Sequence, residues 1–220
     1  MSSLFKSFSV IALCALVVGF SNPVNAQQEL STRSAPISIR AVQAATVLIE
    51  SSSHKGVLLG SGVVTTILGK KYVLTANHII RGTAFARLTS LADGSSGMSK
   101  ETGGWHVEYD IAAIPLPVSM SHLPALELHT GKLRPGEKIY IASFPKGFPA
   151  ITFGRISGYG NHGTRMFHTA LTAEGSSGGM IIDEKGRLCG VHLGVDRFYG
   201  CKVATPSDLV IRLVNIHGKR

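Results

Sequence analysis

The sequence is poor in charged residues and lacks the common spacings of metal ligands. Of its 220 residues, only 16% are charged while 44% are hydrophobic, so the chain can bury a sizeable core. It holds no C-x-x-C pair and no H-E-x-x-H motif, and we therefore expect neither a metal site nor a cofactor. No internal repeat or low-complexity tract stands out, and the length suits one large β domain or two small ones.

Cysteine is scarce, with three residues in the whole chain. Cys14 lies in an apolar N-terminal stretch directly after Leu13, which is a poor context for lipid attachment. Cys189 and Cys201 fall on two strands that we expect to be neighbours. An oxidising compartment would allow the pair to form a disulfide, but only the geometry of the folded chain decides this.

The sequence also lacks an apolar run long enough to span a membrane. The longest run covers residues 10–20, follows Lys6, and precedes the small residues Val24-Asn25-Ala26. This order predicts a cleavable signal peptide over residues 1–26. We therefore expect a secreted or periplasmic protein that begins at Gln27 and keeps no membrane anchor, with an uncleaved anchor as the alternative.

The chain carries a formal net charge of +9, which raises the question of an acidic partner. A basic surface attracts nucleic acid, anionic lipid and acidic proteins. Here the Lys and Arg residues are scattered along the sequence and form no runs. The charge therefore indicates a soluble basic surface, and we expect no nucleic-acid partner.

The organisation of the chain changes at Thr46. Residues 27 to roughly 40 are polar, and residues 27–45 suit an N-terminal arm or a propeptide. From Thr46 onward, short β-branched runs alternate with Gly- and Pro-containing turns, which predicts strands. Near the end, Thr205 and Pro206 predict the start of a helix, with Thr205 as its N-cap. Many strands followed by one terminal helix indicate an all-β fold and not a parallel α/β fold.

A glycine-rich segment supplies a candidate nucleophile. It reads Gly175-Ser176-Ser177-Gly178-Gly179. Its glycines allow a tight turn that exposes the hydroxyl of Ser177 and directs the N–H groups of Gly175 and Ser177 inward as an oxyanion hole. Taken alone, the same residues are also compatible with an ordinary flexible turn.

Two further residues complete the chemistry that acyl transfer by serine requires. His78 directly follows an apolar strand and is a candidate general base. Asp110 opens another apolar strand, where a carboxylate is costly to bury without a partner. Serine catalysis needs a base that takes the hydroxyl proton and an acid that holds the base in the right tautomer.

Together these segments resemble the chymotrypsin-like serine proteases. The match rests on Gly60-Ser61-Gly62, Leu74-Thr75-Ala76-Asn77-His78, Asp110-Ile111-Ala112 and the Ser177 loop, in the family's His, Asp, Ser order. The resemblance covers roughly residues 46–215. One departure is Ser176, since trypsin-like zymogens carry aspartate before the nucleophile. Activation by a newly exposed N-terminus is therefore not expected.

The resemblance implies both fold and activity. It implies an all-β fold of two six-stranded antiparallel Greek-key barrels with a C-terminal helix. The first barrel would span residues 46–117, the connection residues 118–136, and the second barrel with its helix residues 137–220. It also implies a serine endopeptidase that cleaves proteins or peptides through an acyl-enzyme. The oligomeric state stays open.

The residues expected around the primary specificity pocket resemble those of bacterial glutamyl endopeptidases. Thr172 precedes the nucleophile by five positions, and His192 and Gly194 lie on the strand after it. Hydrogen bonds from Thr172 and His192 could hold a P1 carboxylate, which predicts cleavage after Glu. Leu171 argues against cleavage after Lys or Arg. In the alternative, His192 is a structural histidine beside a small apolar pocket.

Two other functions remain open from the sequence. One is a general protease resembling the periplasmic heat-stress (Deg-type) proteases, although the chain ends after the predicted helix without their peptide-binding domain. The other is a catalytically silent binding module with the same fold, against which the complete set of catalytic residues argues. The other histidines, His168 among them, form no usable pattern.

Overall fold

The computed structural model describes residues 38–53, 56–83, 85–99, 106–198 and 200–211. The predicted signal peptide, residues 1–26, and residues 27–37 of the predicted arm lie outside these ranges. The described end of the arm forms helix α1 (Ile39–Ala44). Its residue Val42 and the following Ala45 are buried in a core that both β-sheets share.

The first sheet contains six antiparallel strands. Their order is β5-β4-β1-β2-β3-β6, and a short helix α2 (Asn77–Ile80) follows β3. The strands are β1 (Thr46–Ser53), β2 (Gly56–Ile67), β3 (Lys70–Ala76), β4 (Ala86–Ser90), β5 (Ser96–Ser99) and β6 (Ile111–Pro115).

The second sheet also contains six antiparallel strands, and these close into a barrel. Their order is β10-β11-β12-β9-β8-β7. The strands are β7 (Lys138–Ser143), β8 (Ala150–Gly160), β9 (Arg165–His168), β10 (Met180–Ile182), β11 (Leu188–Val195) and β12 (Lys202–Pro206). Short 3₁₀ turns lie at Val118–Met120, Pro145–Gly147 and Asn161–Gly163.

The predicted all-β fold is confirmed, and both sheets follow the same strand order. If the six strands of each sheet are numbered 1 to 6 along the chain, their order across both sheets is 5-4-1-2-3-6. The second sheet closes because β11 pairs with β12. The first sheet differs from the expected barrel, since no pairing between β5 and β6 joins its described edges.

The terminal helix is present but begins one residue later than the sequence predicts. Pro206 is still part of β12, where it pairs with Gly190, and the described helix covers residues 207–211. Thr205 does not cap this helix, because its hydroxyl donates to the carbonyl oxygen of Tyr109. Within the described ranges, no helix is long and apolar enough to cross a membrane.

The core joins the two sheets. One buried cluster combines Val63, Leu74 and Ile111 of the first sheet with Met180 and Val191 of the second. Because protein interiors are close-packed, this shared core fixes how the turns of one sheet face those of the other. The two C-terminal cysteines do not contribute a crosslink, since no disulfide joins Cys189 to Cys201.

Candidate active site

His78 and Asp110 lie at the same end of two paired strands. Ala76 at the end of β3 pairs with Ile111 at the start of β6, which brings the residues just beyond them together. The Nδ1 atom of His78 lies 2.7 Å from Oδ2 of Asp110. The main-chain N–H of His78 donates to Oδ1 of the same carboxylate over 2.9 Å.

This double contact determines what the imidazole can do. A carboxylate only accepts hydrogen bonds when ionised, so its bond to Nδ1 places the ring proton on that nitrogen. Nε2 then carries a lone pair and can accept a proton. The side chain of His78 remains 44% exposed, compared with 25% for Asp110. The ring is therefore accessible from solvent, while the carboxylate of Asp110 holds its orientation.

The turn around Ser177 can be built only with glycine at two positions. Gly175 and Gly178 have φ angles of +89° and +84°, a region that L-residues with side chains rarely adopt. A Cβ atom on Gly175 would clash with the carbonyl oxygen of Phe144, and one on Gly178 would clash with that of Ser61. Gly175 and Gly178 are therefore needed both for their positive φ angles and because no side chain would fit at either position.

Ser61 of β2 ties this turn to the first sheet. Its N–H donates to the carbonyl oxygen of Ser177 over 2.7 Å. Its buried hydroxyl donates to the carbonyl oxygen of Gly175 and accepts from the N–H of Phe144, each over 2.8 Å. The sequence motif around Ser61 thus supports residues 175–179, the turn that carries the candidate nucleophile (the nucleophile turn).

The two serines of the turn differ in burial and in their hydrogen bonds. Ser176 is completely buried, and its hydroxyl accepts from the N–H of Ala173. Ser177 is half-buried, and its hydroxyl donates to the carbonyl oxygen of Leu193 over 2.8 Å. Of the two serines, Ser177 is therefore the accessible one, and its hydroxyl would have to rotate away from Leu193 to meet the imidazole of His78.

The nucleophile turn lies directly beside the end of β3. A Cβ placed on Gly178 would come within 3.1 Å of the amide nitrogen of Ala76, two residues before His78. In the described part of the chain, no recorded hydrogen bond joins Ser177 to His78. Catalytic hydrogen bonds of free enzymes often tighten only when substrate is bound, so this arrangement is compatible with a base and nucleophile that meet during the reaction.

Two amides of the turn, those of Gly175 and Ser177, differ from the others in their hydrogen bonding. The other amides are engaged inside the protein, with Ser176 donating to Ala173, Gly178 to His192, and Gly179 to Ser176. Within the described ranges, no recorded hydrogen bond uses the N–H of Gly175 or Ser177 as donor. These are the two groups that the sequence analysis assigns to the oxyanion hole.

The candidate pocket residues lie along β11 and before the nucleophile. Thr172 is half-buried, whereas Leu171 is 76% exposed. The strand that carries His192 is tied to the nucleophile turn, because the N–H of His192 donates to Gly179 over 2.8 Å. Gly194 lies just after a register shift in this strand and has open space where a side chain would be.

His192 is fully buried and contacts a second histidine that the sequence analysis did not use. Its Nδ1 atom lies 3.1 Å from Nε2 of His168, and the two rings meet edge to face. Burial, with a smaller contribution from Lys202, lowers the pKa of His168 to about 4. Burial, followed by repulsion from His168 and Lys202, lowers the pKa of His192 to about 3. Both rings are therefore neutral at neutral pH.

Comparisons with known proteins agree with this geometry. The family model described as the trypsin-like peptidase domain matches residues 60–191, which is more than half of the chain. The comparison with curated proteins gives no significant match.

Solved structures share the fold at low sequence identity. The serine endoprotease from Yersinia pestis is 23% identical with a TM-score of 0.69, covering 82% of this chain and 68% of that one. The HtrA-type protease AlgW with a tripeptide is 22% identical with a TM-score of 0.63, covering 80% and 62%. The Rv3671c protease in its inactive form is 19% identical with a TM-score of 0.66, covering 82% and 96%.

These likenesses concern the fold, and the chain spans less than two thirds of AlgW. The family match is different in kind, because it covers the His78, Asp110 and Ser177 segments together. With the two six-stranded sheets and the His78–Asp110 contact, it identifies the chain as a member of the trypsin-like peptidase family.

Proposed function

We propose that this protein is an exported serine endopeptidase that cleaves peptide bonds through an acyl-enzyme. Ser177 is the nucleophile, His78 the general base and Asp110 the acid that orients it. The observation that carries this proposal is the double hydrogen bond between His78 and Asp110 beside a glycine-built turn with an accessible serine.

The reaction proceeds in two halves. The hydroxyl of Ser177 leaves the carbonyl of Leu193 and donates to Nε2 of His78. Its oxygen attacks the carbonyl carbon of the peptide while His78 takes the proton, and then His78 protonates the departing amine. Water repeats the sequence on the ester, which releases the acid product and restores Ser177.

The oxyanion hole is supported from the second sheet. The N–H of Lys146 donates to the carbonyl oxygen of Glu174 over 2.6 Å. Because the C=O and N–H of a trans peptide point in opposite directions, this bond holds the N–H of Gly175 on the side away from Lys146. A donor fixed in advance needs no reorganisation when the oxyanion forms.

We further propose that the enzyme prefers Glu at P1. Because His168 and His192 are both neutral, each carries one ring proton, and the two can form a chain of hydrogen bonds directed toward a substrate. The Nδ1 atom of His168 is buried without a partner, and a buried lone pair is tolerated better than a buried N–H. The proton of His168 then lies on Nε2 and is donated to Nδ1 of His192. The Nε2–H of His192 then donates to the main chain of Val203. It must leave that acceptor to bind a P1 carboxylate together with the hydroxyl of Thr172.

A small apolar P1 residue is the second candidate, as in a Deg-type general protease. His192 is only 1% exposed, so its donor must become accessible before it can reach a carboxylate. The fold shared with HtrA-type proteases is also compatible with this candidate. The two candidates make opposite predictions for P1 Glu and P1 Ala substrates.

A peptide panel with Glu, Gln, Ala, Leu and Lys at P1 separates them. For the wild type we expect Glu to be cleaved fastest and Lys hardly at all, because a pocket built around a substrate hydrogen bond rejects analogues by up to about 10⁴-fold. Thr172→Val and His192→Leu should lower kcat/KM for Glu far more than for Ala. Equal rates for Glu and Ala, or an undiminished rate for Glu in His192→Leu, would favour the small apolar pocket.

Export is part of the proposal and depends on residues 1–26. We expect the exported protein to begin at Gln27 and to retain α1, because Val42 and Ala45 are buried in the shared core. N-terminal sequencing tests both points. An exported form beginning at Met1 would contradict signal cleavage, and an active form beginning at Thr46 would contradict the need for α1.

A further inference from the structure

The turn that presents Asp110 places this residue in the left-handed backbone region, with a φ angle of +54°. Asp enters this region more readily than most residues with side chains, but the conformation still costs free energy. Its N–H donates to the carbonyl oxygen of Val107 over 3.2 Å, which closes a turn. Such a conformation persists only when surrounding contacts hold it.

Hydrogen bonds from the first sheet reach the carboxylate and the carbonyl oxygen of Asp110, whereas the main-chain carbonyls just before it are held from the second sheet. Arg165 at the start of β9 reaches the turn with both ends of its guanidinium group. Nη1 donates to the carbonyl oxygen of Tyr109 over 3.3 Å, and Nη2 donates to that of Glu108 over 3.2 Å. The hydroxyl of Thr205 in β12 donates to the same carbonyl of Tyr109.

The two donors are well suited to this task. Guanidinium is a rigid fork that can bind two neighbouring acceptors at once, which an ammonium group cannot reproduce. β9 and β12 pair with each other in the closed barrel, so Arg165 and Thr205 are presented by one rigid surface. The turn is therefore attached to the barrel that carries Ser177, although Asp110 itself precedes a strand of the first sheet.

We propose that Arg165, assisted by Thr205, is a positioning residue for Asp110. It holds the turn so that the carboxylate meets Nδ1 of His78, and it thereby couples the acid and base of one sheet to the barrel of the nucleophile. This inference rests on the proposed roles of Asp110 and His78. Among the described residues, the hydrogen bonds of the Arg165 side chain go to Glu108 and Tyr109 and not to the residues assigned to the substrate pocket.

The test compares Arg165→Met with a matched control. Arg155→Met removes an arginine of the same barrel whose Nη1 also donates to a main-chain carbonyl, that of Gly136, over 2.6 Å. Misplacement of a catalytic group by about 1 Å can cost about 10²-fold in rate, so we expect Arg165→Met to lower kcat by about 10- to 100-fold with KM nearly unchanged. Arg155→Met should retain the wild-type kcat.

Two further measurements distinguish a positioning role of Arg165 from a general effect on the stability of the protein. The downfield proton resonance of the His78 Nδ1–Asp110 hydrogen bond should shift or broaden in Arg165→Met and stay unchanged in Arg155→Met. Arg165→Lys, which can reach one carbonyl at a time, should have an intermediate kcat. If Arg165→Met fails to fold at the assay temperature, the kcat and the resonance of Arg165→Lys decide the question in the same way.

A wild-type kcat with an unchanged resonance in both Arg165 variants would overturn the inference. So would a loss of activity that Arg155→Met reproduces. These results leave the proposed peptidase intact, because the wild type would still cleave peptides. An inactive wild type, or an active Ser177→Ala variant, would instead refute the proposed function itself.

Discussion

The two sheets share one strand order, yet one closes and the other does not. In the second sheet, β11 is an eight-residue apolar strand whose residues 190–195 pair with β12. Its counterpart in the first sheet, β5, has four residues of sequence SGMS. The segment after β6 instead packs on β5, where a Cβ atom on Gly97 would come within 2.6 Å of Pro117.

The two sheets also contribute different parts of the proposed site. The closed barrel holds the nucleophile turn and the buried histidine pair, both of which depend on dense packing. The open sheet presents His78 and Asp110 at the ends of β3 and β6, where the side chains stay partly exposed. One strand order therefore occurs in both a closed and an open sheet, and topology alone does not determine closure.

The largest expected effect tests whether the two sheets act as one catalytic unit. Ser177→Ala removes the group that the barrel contributes, and His78→Ala removes the base of the first sheet. Residues of a catalytic triad are strongly non-additive, and loss of either can cost about 10⁶-fold in kcat. We expect the double variant to be no slower than either single variant in single-turnover assays. Additive losses would mean that the two residues act independently.

The next prediction concerns the place where the sheets touch. Gly178 and Gly186 both have positive φ angles, of +84° and +77°. A side chain on Gly178 would clash with Ser61 and Thr75, whereas one on Gly186 would meet nothing within 4 Å. Gly186→Ala should cost about 1 kcal/mol of unfolding free energy from backbone strain alone. Gly178→Ala should cost several times more, which chemical denaturation can measure. Equal losses would contradict the close packing.

A smaller effect is expected from the buried histidine pair of the barrel, which should make the free energy of unfolding depend on pH. The folded-state pKa values of His168 and His192 are about 4 and about 3, below the ordinary 6.5. The unfolded chain therefore binds protons that the folded chain does not, and the free energy of unfolding falls as pH drops from 6.5 toward 4. The charged groups that act on the pair are Lys202 and, for His192, also His78.

Replacing one histidine should weaken this pH dependence. We expect His168→Leu to flatten the slope of unfolding free energy between pH 6.5 and 4, by an amount on the order of 2 kcal/mol across the window. His162→Leu, at an exposed position, is the control and should leave the slope unchanged. Denaturant titrations at several pH values measure the difference, and an identical slope in His168→Leu would show that the pair is not a buried neutral one.

Much of the site could be predicted because its signals are local in sequence. Glycines beside Ser177 predict a tight turn, and an apolar strand ending before His78 predicts a residue at a sheet end. The all-β fold follows from many short β-branched runs. Each of these inferences depends on neighbours along the chain, and the structure has the elements in the corresponding places.

The remaining features depend on pairings between strands that are distant in sequence. His168 meets His192 because β9 and β11 both neighbour β12, and no local pattern reveals that order. Arg165 reaches Glu108 and Tyr109 across the two sheets for the same reason. Helix α1 was missed because its only buried residue, Val42, gives no helical periodicity. The open first sheet depends on how β5 packs, which composition does not encode.

The central claim is that Ser177 is a nucleophile activated by His78. Treating the folded protein with a fluorophosphonate probe and mapping the adduct by mass spectrometry tests it most directly. We expect one adduct, on Ser177, formed rapidly in the wild type and far more slowly in His78→Ala. An adduct on Ser176, no adduct at all, or equal labelling of the wild type and His78→Ala would contradict the account.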